Sequence, residues 1–353
     1  MQLTQPVPYQ VIQRQGYVLS EDHLHQSGGP TLGDGLVAVT WVGIEDAAPL
    51  TWEYRAVLTE GEGAGVPEWT VLPGQIAHGE FHGTARIPAG GWYRLEVRCR
   101  LGDQLRATAG VEPIGIGELL LIAGQSYAEG CNAELLRVTD PHERVTAFDL
   151  ATRGWQVAHD PLPNCNPGGT LWPPLGDMLV ALLRVPVGLI DVAVGATASR
   201  QWMPGQELYT RLATAGKATG PGRFLLWQQG ESDVIEGVET ETYVRNIIAI
   251  RTGLVQEWGF GPRWLPAKST IHPYVYENPA GEARIRSAIA HLWQIPGFLP
   301  GPDTDMLGGE NRADLAENGH FTALGQRRAA LLWFAAVWQA LQMVAVKDVV
   351  EEK

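Results

Sequence analysis

Five apolar residues, Leu119 to Ala123, run directly into Gly124-Gln125-Ser126. A short apolar run that stops at a turn signal reads as a strand buried on both faces. Strands of that kind belong to parallel sheets covered by helices, and the rest of the chain after Pro113 agrees. Residues 118–123, 185–194, 223–228 and 263–272 read as strands, and 174–183, 240–258 and 322–343 as helices. Strand–helix alternation predicts an α/β fold, a three-layer α/β/α sandwich around a parallel sheet. Ligands of such sheets bind outside the carboxyl ends of the strands. Ser126, Gly195 and Glu231 all fall at those ends.

The chain before about residue 112 has another grammar. In the stretch 92–99, Tyr93, Leu95, Val97 and Cys99 alternate with Arg94, Glu96 and Arg98, the pattern of a half-buried strand. Residues 36–42 form a second candidate strand, and Gly and Pro punctuate the segment. The expected organisation is a small all-β, sandwich-like accessory domain over 1–112 and an α/β domain over 113–353. There is no internal repeat and no low-complexity linker.

Composition narrows the function. The 353 residues carry a formal net charge of −13, which argues against nucleic acid or an anionic membrane as partner. The apolar stretch 329–346 is broken by Gln339 and Gln342 and preceded by Arg327 and Arg328. It reads as a core helix, since a span needs about 20 apolar residues. The start, Met1 to Pro6, lacks the charged and apolar regions of a signal peptide; the compartment and the oligomeric state stay open. Cys99, Cys131 and Cys165 make no disulfide framework and read as buried thiols, two of them near Ser126. With no His-Glu-x-x-His, no paired Cys-x-x-Cys and no EF-hand loop, the expectation is catalysis without metal or cofactor.

A serine hydroxyl is a weak nucleophile until a neighbouring base takes its proton. The turn exposes Ser126, and a short helix after it would point amides at negative charge nearby. Ala128 stands where an α/β-hydrolase elbow has its second glycine, so this is another kind of nucleophile turn. His320, in a polar loop before the last helix, is the candidate base, with His272 its nearest rival. Glu317, three residues earlier, can accept from its imidazole within one loop; Asp314 is the alternative acid. Acyl transfer also needs donors aimed at a developing oxyanion. Gly195, Gln229, Gly230 and Glu231 are the oxyanion or substrate-binding candidates, with Gln125 beside the serine and Asp233 orienting the turn.

Together these blocks resemble the SGNH/GDSL hydrolase superfamily, and within it the sialate O-acetylesterase-like carbohydrate esterases. The matching stretches are Gly124-Gln125-Ser126, residues 186–190 leading into Val194-Gly195-Ala196-Thr197, then Trp227-Gln228-Gln229-Gly230-Glu231-Ser232-Asp233, and Gly319-His320-Phe321-Thr322 with Gly325. The resemblance implies an SGNH-type, flavodoxin-like fold. It implies Ser126 as nucleophile, His320 as base, and oxyanion donors from the Ser126 N–H, Gly195 and the turn at 229–231. It also implies an acetyl-ester substrate on a carbohydrate or small molecule. Two positions depart from the family pattern. Glu317 replaces the usual aspartate of Asp-x-x-His, and Ala196 replaces a second glycine, which makes Gly168-Gly169 the reserve donors. Trp172, Trp202 and Tyr127 lie near the blocks and could present faces to a sugar, though 13 tryptophans also have a core to fill. The rival readings are a glycan-binding protein without catalysis, which the Glu317 departure motivates, and a lipase or thioesterase of longer acyl preference.

Overall fold

The run Leu119–Ala123 is the end of one 21-residue strand, Gln104–Gly124, in a computed structural model that describes residues 2–17, 32–44, 49–271, 278–314 and 319–351. Eight strands precede it: β1 (Gln2–Gln5), β2 (Val11–Gln13), β3 (Asp34–Val42), β4 (Thr51–Gly61), β5 (Val66–Val71), β6 (Gly74–Ala77), β7 (Glu80–Pro88) and β8 (Gly91–Leu101). The long strand is therefore β9. After it come α1 (Ser126–Glu129), β10 (Val145–Phe148), β11 (Trp155–Val157), α2 (Trp172–Leu183), β12 (Val187–Asp191), α3 (Glu207–Thr219) and β13 (Phe224–Gln228). The chain closes with α4 (Glu231–Ile235), α5 (Thr240–Trp258), β14 (Arg263–Pro266), α6 (Pro279–Leu292) and α7 (Ala323–Glu351).

Apart from β2, which pairs in parallel with β9, the strands of the first hundred residues make antiparallel pairs, as their alternation predicts. One sheet has the order β1-β3-β7-β6, and β9-β8-β4-β5 forms the antiparallel wing of a larger, mixed sheet. Alternate residues of both share one core: Val37, Val39 and Trp41 with Phe81, Ala85 and Ile87 from the first, Trp52, Tyr54 and Ala56 with Leu95, Val97 and Cys99 from the second. Trp52 stacks on Phe81 with ring centroids 4.2 Å apart, so the two sheets meet through aromatic faces.

β9 then changes partners without ending. Its first half pairs antiparallel with β8, and its last residues pair in parallel with β12 and β13. The change of grammar at residue 113 lies inside this strand. Residues 112 and 113 together oppose Arg94 at a register shift. A bulge of that kind accommodates a proline, whose missing N–H removes no ladder bond. The parallel strands run β10-β12-β9-β13-β14, and β11 adds antiparallel to β10. Numbered by their order in the chain, that is 2-3-1-4-5. Parallel bridges from Trp264 to Phe298 and from Lys268 to Asp303 carry the sheet one segment beyond β14.

The end of β9 is buried on both faces because it is central. Leu120 and Ile122 pack in one cluster with Leu175 and Leu179 of α2 and Trp333 and Val337 of α7. Leu119, Leu121 and Ala123 pack in another with Leu212 of α3, Ile247 and Ile250 of α5, and Ile285 and Ile289 of α6. The helix expected over 240–258 is observed there, and the last helix begins one residue later than expected. The strand expected over 263–272 stops at Pro266, and its His272 lies outside the described residues. Among the described residues no helix is long and apolar enough to cross a membrane.

One buried ion cluster joins the two halves of β9. Glu118 is the first residue of β9 to pair with β12 and is only 2% exposed. Its carboxylate accepts from Arg14 Nε at 2.7 Å, Arg223 Nε at 2.8 Å and Gln13 Nε2 at 2.8 Å. Arg14 follows β2 and Arg223 precedes β13, and both guanidiniums lie over the ring of Tyr17. Burial alone would raise the Glu118 carboxyl; Arg223 and Arg14 outweigh it and lower it from 4.5 to about 2. The folded-state value is the lower one. The contribution to stability is therefore complete above about pH 4.5 and is lost as pH falls toward about 2. Glu118→Gln leaves the buried Arg14 guanidinium and the partly buried Arg223 guanidinium without their counter-charge and should cost about 3–5 kcal/mol. Urea unfolding at neutral pH measures this, and the gap between wild type and variant should close as the pH is lowered through that window.

Candidate active site

The strand delivers Ser126 through a turn that only glycine permits. Gly124 has φ of +138°, and a Cβ there would lie 2.1 Å from the Gln228 carbonyl oxygen. The Gln125 N–H donates to that same carbonyl at 2.9 Å. The chain then makes the single turn α1, stopped at Gly130 with φ of +101°. Ser126 is 8% exposed at its start.

His320 reaches the serine turn from the far end of the chain. The Tyr127 ring lies 4.9 Å from the His320 ring and 4.6 Å from that of Phe321. The Ala133 N–H donates to the Phe321 carbonyl at 3.0 Å. Asn132 fastens three segments at once. Its Oδ1 accepts from the Phe321 N–H at 3.3 Å, and its Nδ2 donates to the Tyr127 and Gly169 carbonyls, both at 3.0 Å. Arg312 donates to the Tyr127 hydroxyl and lies over the Tyr127 and Phe321 rings. So Ser126 and His320, 194 positions apart in the sequence, sit in segments that are bonded to each other. Of the two acids, Glu317 lies outside the described residues. Asp314 is exposed, and its carbonyl accepts from the Gly319 N–H at 3.1 Å.

Gly195 stands beside the serine: a Cβ built on it would lie 3.6 Å from Ser126 Cβ. Its N–H donates to Glu129 Oε2 at 2.6 Å. Ala196 holds φ of +55°, so the position where a second glycine was expected does take the left-handed conformation and pays for a Cβ there. The turn after β13 is arranged differently from the expectation. Gln229 and Glu231 are fully buried. Gln229 Nε2 donates to Thr197 O at 3.0 Å, Asp233 Oδ2 at 2.5 Å and Gln125 Oε1 at 3.3 Å. The Gly230 N–H donates to Glu231 Oε2 at 3.1 Å, and Ser269 Oγ donates to Glu231 Oε1. Burial pushes the Glu231 carboxyl up to about 8. These donors hold the turn together and are not presented to a ligand. Asp233 ties the turn to the 197–199 loop, accepting from the Ser199 N–H at 2.7 Å and Ser199 Oγ at 2.6 Å, the orienting role expected of it.

Tyr127, Trp172 and Trp202 are all fully buried and offer no face to a sugar. Trp172 Nε1 instead supports α1 by donating to Ala128 O at 2.9 Å. Three site residues escaped the sequence reading: Glu129, Asn132 and Asn166. Asn166 Nδ2 donates to Glu129 Oε2 at 2.7 Å. It lies in the loop of the reserve pair Gly168-Gly169, and the Gly169 N–H is engaged by Asn132 O at 3.1 Å. Glu129 lies three residues after Ser126, and its charge in a buried turn was the available signal. Burial raises its carboxyl, and the Gly195 hydrogen bond works against that rise. No group of three or more potential metal ligands occurs among the described residues.

With this geometry in view, the comparisons with known proteins are specific. Residues 117–261 match the family model of the carbohydrate esterases described as sialic acid-specific acetylesterases, and the resemblance read from the motifs is borne out over that stretch. A probable carbohydrate esterase of Arabidopsis thaliana is 31% identical over 106 residues, 26% of this chain. The match spans 40% of that relative's length. Among solved structures, a carbohydrate acetylesterase from Xanthomonas citri superposes with a TM-score of 0.59 at 16% identity, over 94% of this chain and 72% of that one. That likeness concerns the fold, which is mixed α/β.

Asn132→Ala removes the clip between the serine turn and the His320 segment. It should cost about 1–3 kcal/mol, the penalty for leaving buried partners unsatisfied. Amide hydrogen exchange at Phe321 should accelerate while exchange in β3 and β7 is unchanged.

Proposed function

We propose that this protein is a serine carboxylic-ester hydrolase that removes acetyl groups, with O-acetylated carbohydrate as its substrate class. The observation that carries the reading is the meeting of the Ser126 turn, at the carboxyl end of the central parallel strand, with the His320 segment and Gly195. The matched family's description supports the acetyl ester and the sugar. The domain reading is part of the proposal: an SGNH-type three-layer α/β/α domain over 113–353, with 1–112 as an accessory domain.

In this reading, Ser126 Oγ attacks the ester carbonyl as the His320 imidazole takes its proton. His320 then returns the proton to the leaving sugar hydroxyl, leaving an acetyl-serine. Water, activated by the same imidazole, releases acetate and restores Ser126. Glu317 orients the imidazole and stabilises its charged form, with Asp314 as the alternative. Gly195 and the Ser126 N–H serve the oxyanion. Gln125, Gln229, Gly230 and Glu231 are the floor that fixes the turn.

The reading is tested on an aryl acetate and on a panel of acetylated sugars. Ser126→Ala should lower kcat by about 10⁴–10⁶-fold with an unchanged circular dichroism spectrum; retained turnover contradicts the assignment. Glu317→Gln should lower kcat by up to about 10⁴-fold and Asp314→Asn should not; the reverse order would transfer the acid to Asp314. Activity should fall from acetate to octanoate esters, and a rise would favour a lipase or thioesterase. Sugar binding without any Ser126-dependent acetate release would make the protein a glycan-binding one.

A further inference from the structure

Two hydrogen-bond donors beside Ser126 converge on one oxygen that belongs to the protein itself. Glu129 Oε2 accepts from the Gly195 N–H at 2.6 Å and from Asn166 Nδ2 at 2.7 Å, with Cys131 Sγ at 3.8 Å. Donors at such distances are what a tetrahedral oxyanion requires. The place also fits. The point one bond out from Gly195 Cα is 2.6 Å from Glu129 Oε2 and 3.6 Å from Ser126 Cβ.

Both donors are held without help from the Glu129 carboxylate. Gly195 follows a backbone bond from the Val194 N–H to Gly124 O at 3.0 Å, and Thr197 Oγ1 donates to Val194 O at 2.7 Å. The Asn166 N–H donates to the Glu129 main-chain carbonyl at 3.1 Å, and Asn166 Nδ2 also reaches Cys131 Sγ at 3.3 Å. Withdrawal of the side chain therefore leaves two fixed donors aimed at one position. A second negative oxygen cannot occupy that position while an ionised carboxylate fills it, because like charges at contact repel.

We propose that the Gly195 N–H and Asn166 Nδ2 form an anion-accepting site beside Ser126, and that Glu129 fills it at rest as an internal carboxylate which the incoming acyl oxygen displaces. The second clause rests on the esterase reading; the anion site does not. Asn166 thereby becomes an oxyanion donor in place of the turn at 229–231. Glu129 becomes a competitor whose removal opens the site to small carboxylates, including the acetate product.

Sodium acetate is the probe, titrated against the 353-residue chain by calorimetry or NMR. Glu129→Ala should bind acetate at least about tenfold more tightly than wild type, a difference of about 1.4 kcal/mol. Adding Asn166→Ala to that variant should abolish the gain. Glu129→Gln, which keeps an acceptor and loses the charge, should fall between wild type and Glu129→Ala, and it carries the test if the alanine variant does not fold. On an aryl acetate, Glu129→Ala should show kcat/KM about tenfold above wild type and stronger inhibition by acetate. Acetate affinity unchanged by a folded Glu129 variant, or a gain indifferent to Asn166→Ala, overturns the proposal. Absence of ester turnover in every form would sink the esterase reading while the titration still decides the anion site.

Discussion

A single buried carboxylate, Glu118, stands where β9 leaves its antiparallel partner and enters the parallel sheet. It is paired with Arg14 from the N-terminal segment and Arg223 at the head of β13. Each charge would be costly alone in that place, and together they fix which strands lie beside β9. Leu119 N–H also donates to Gln13 Oε1 at 2.9 Å, so β2 is held to the same point. Ser126 follows eight positions later along a strand that is pinned on both sides. The position of the proposed nucleophile is thus set by sheet register, as precise sites require.

The site divides into a buried frame and a thin working surface. Gln125, Gln229, Glu231 and Asp233 are almost wholly withdrawn from solvent. Gln229 Nε2 links Gln125, Asp233 and the loop at 197–199, and the Glu231 carboxylate is held by Ser269 and the Gly230 N–H. These bonds fix the turn beneath the serine, while Gln125 Nε2 and Gln229 Oε1 are buried without a partner. In the proposed reading the working groups are few: Ser126, His320, Gly195, and the Glu129–Asn166 pair. The charged turn Gln229–Glu231 looks like the most chemical stretch of the sequence, yet its function in the fold is to hold the serine turn from below.

Much of the fold was legible where local pattern and global burial agree. The central strand and α5 could be read because an apolar run or a helical period is itself the signature of burial. The continuity of β9 through residue 113 was not. A proline beside a change of pattern reads as a boundary, and only the bulge opposite Arg94 shows that the ladder passes through it. α3 and α6 were not among the expected helices, although each buries an apolar stripe: Tyr209, Leu212, Ala213 and Ala215 in α3, and Ile285, Ala288, Ile289 and Leu292 in α6. β10 has only four residues, too few for a period. Ser126, His320 and Gly195, which the structure brings into neighbouring segments, were singled out from motif order, since each follows a strand or precedes a helix. Asn132, Asn166 and the partnership of Glu129 were not found, because they depend on irregular loops meeting across the sheet mouth, which no spacing encodes. The same lack of three-dimensional context made buried core tryptophans look like sugar platforms.

The central claim is that Ser126 is the group that attacks. A diethyl aryl phosphate phosphorylates an activated serine, expelling the aryl alcohol and leaving a stable diethylphosphoryl ester. Peptide mass mapping of the fully inactivated protein should place one such adduct on Ser126, and His320→Ala should suppress its formation. An adduct on another residue, or ester hydrolysis that persists with Ser126 fully modified, would contradict the account.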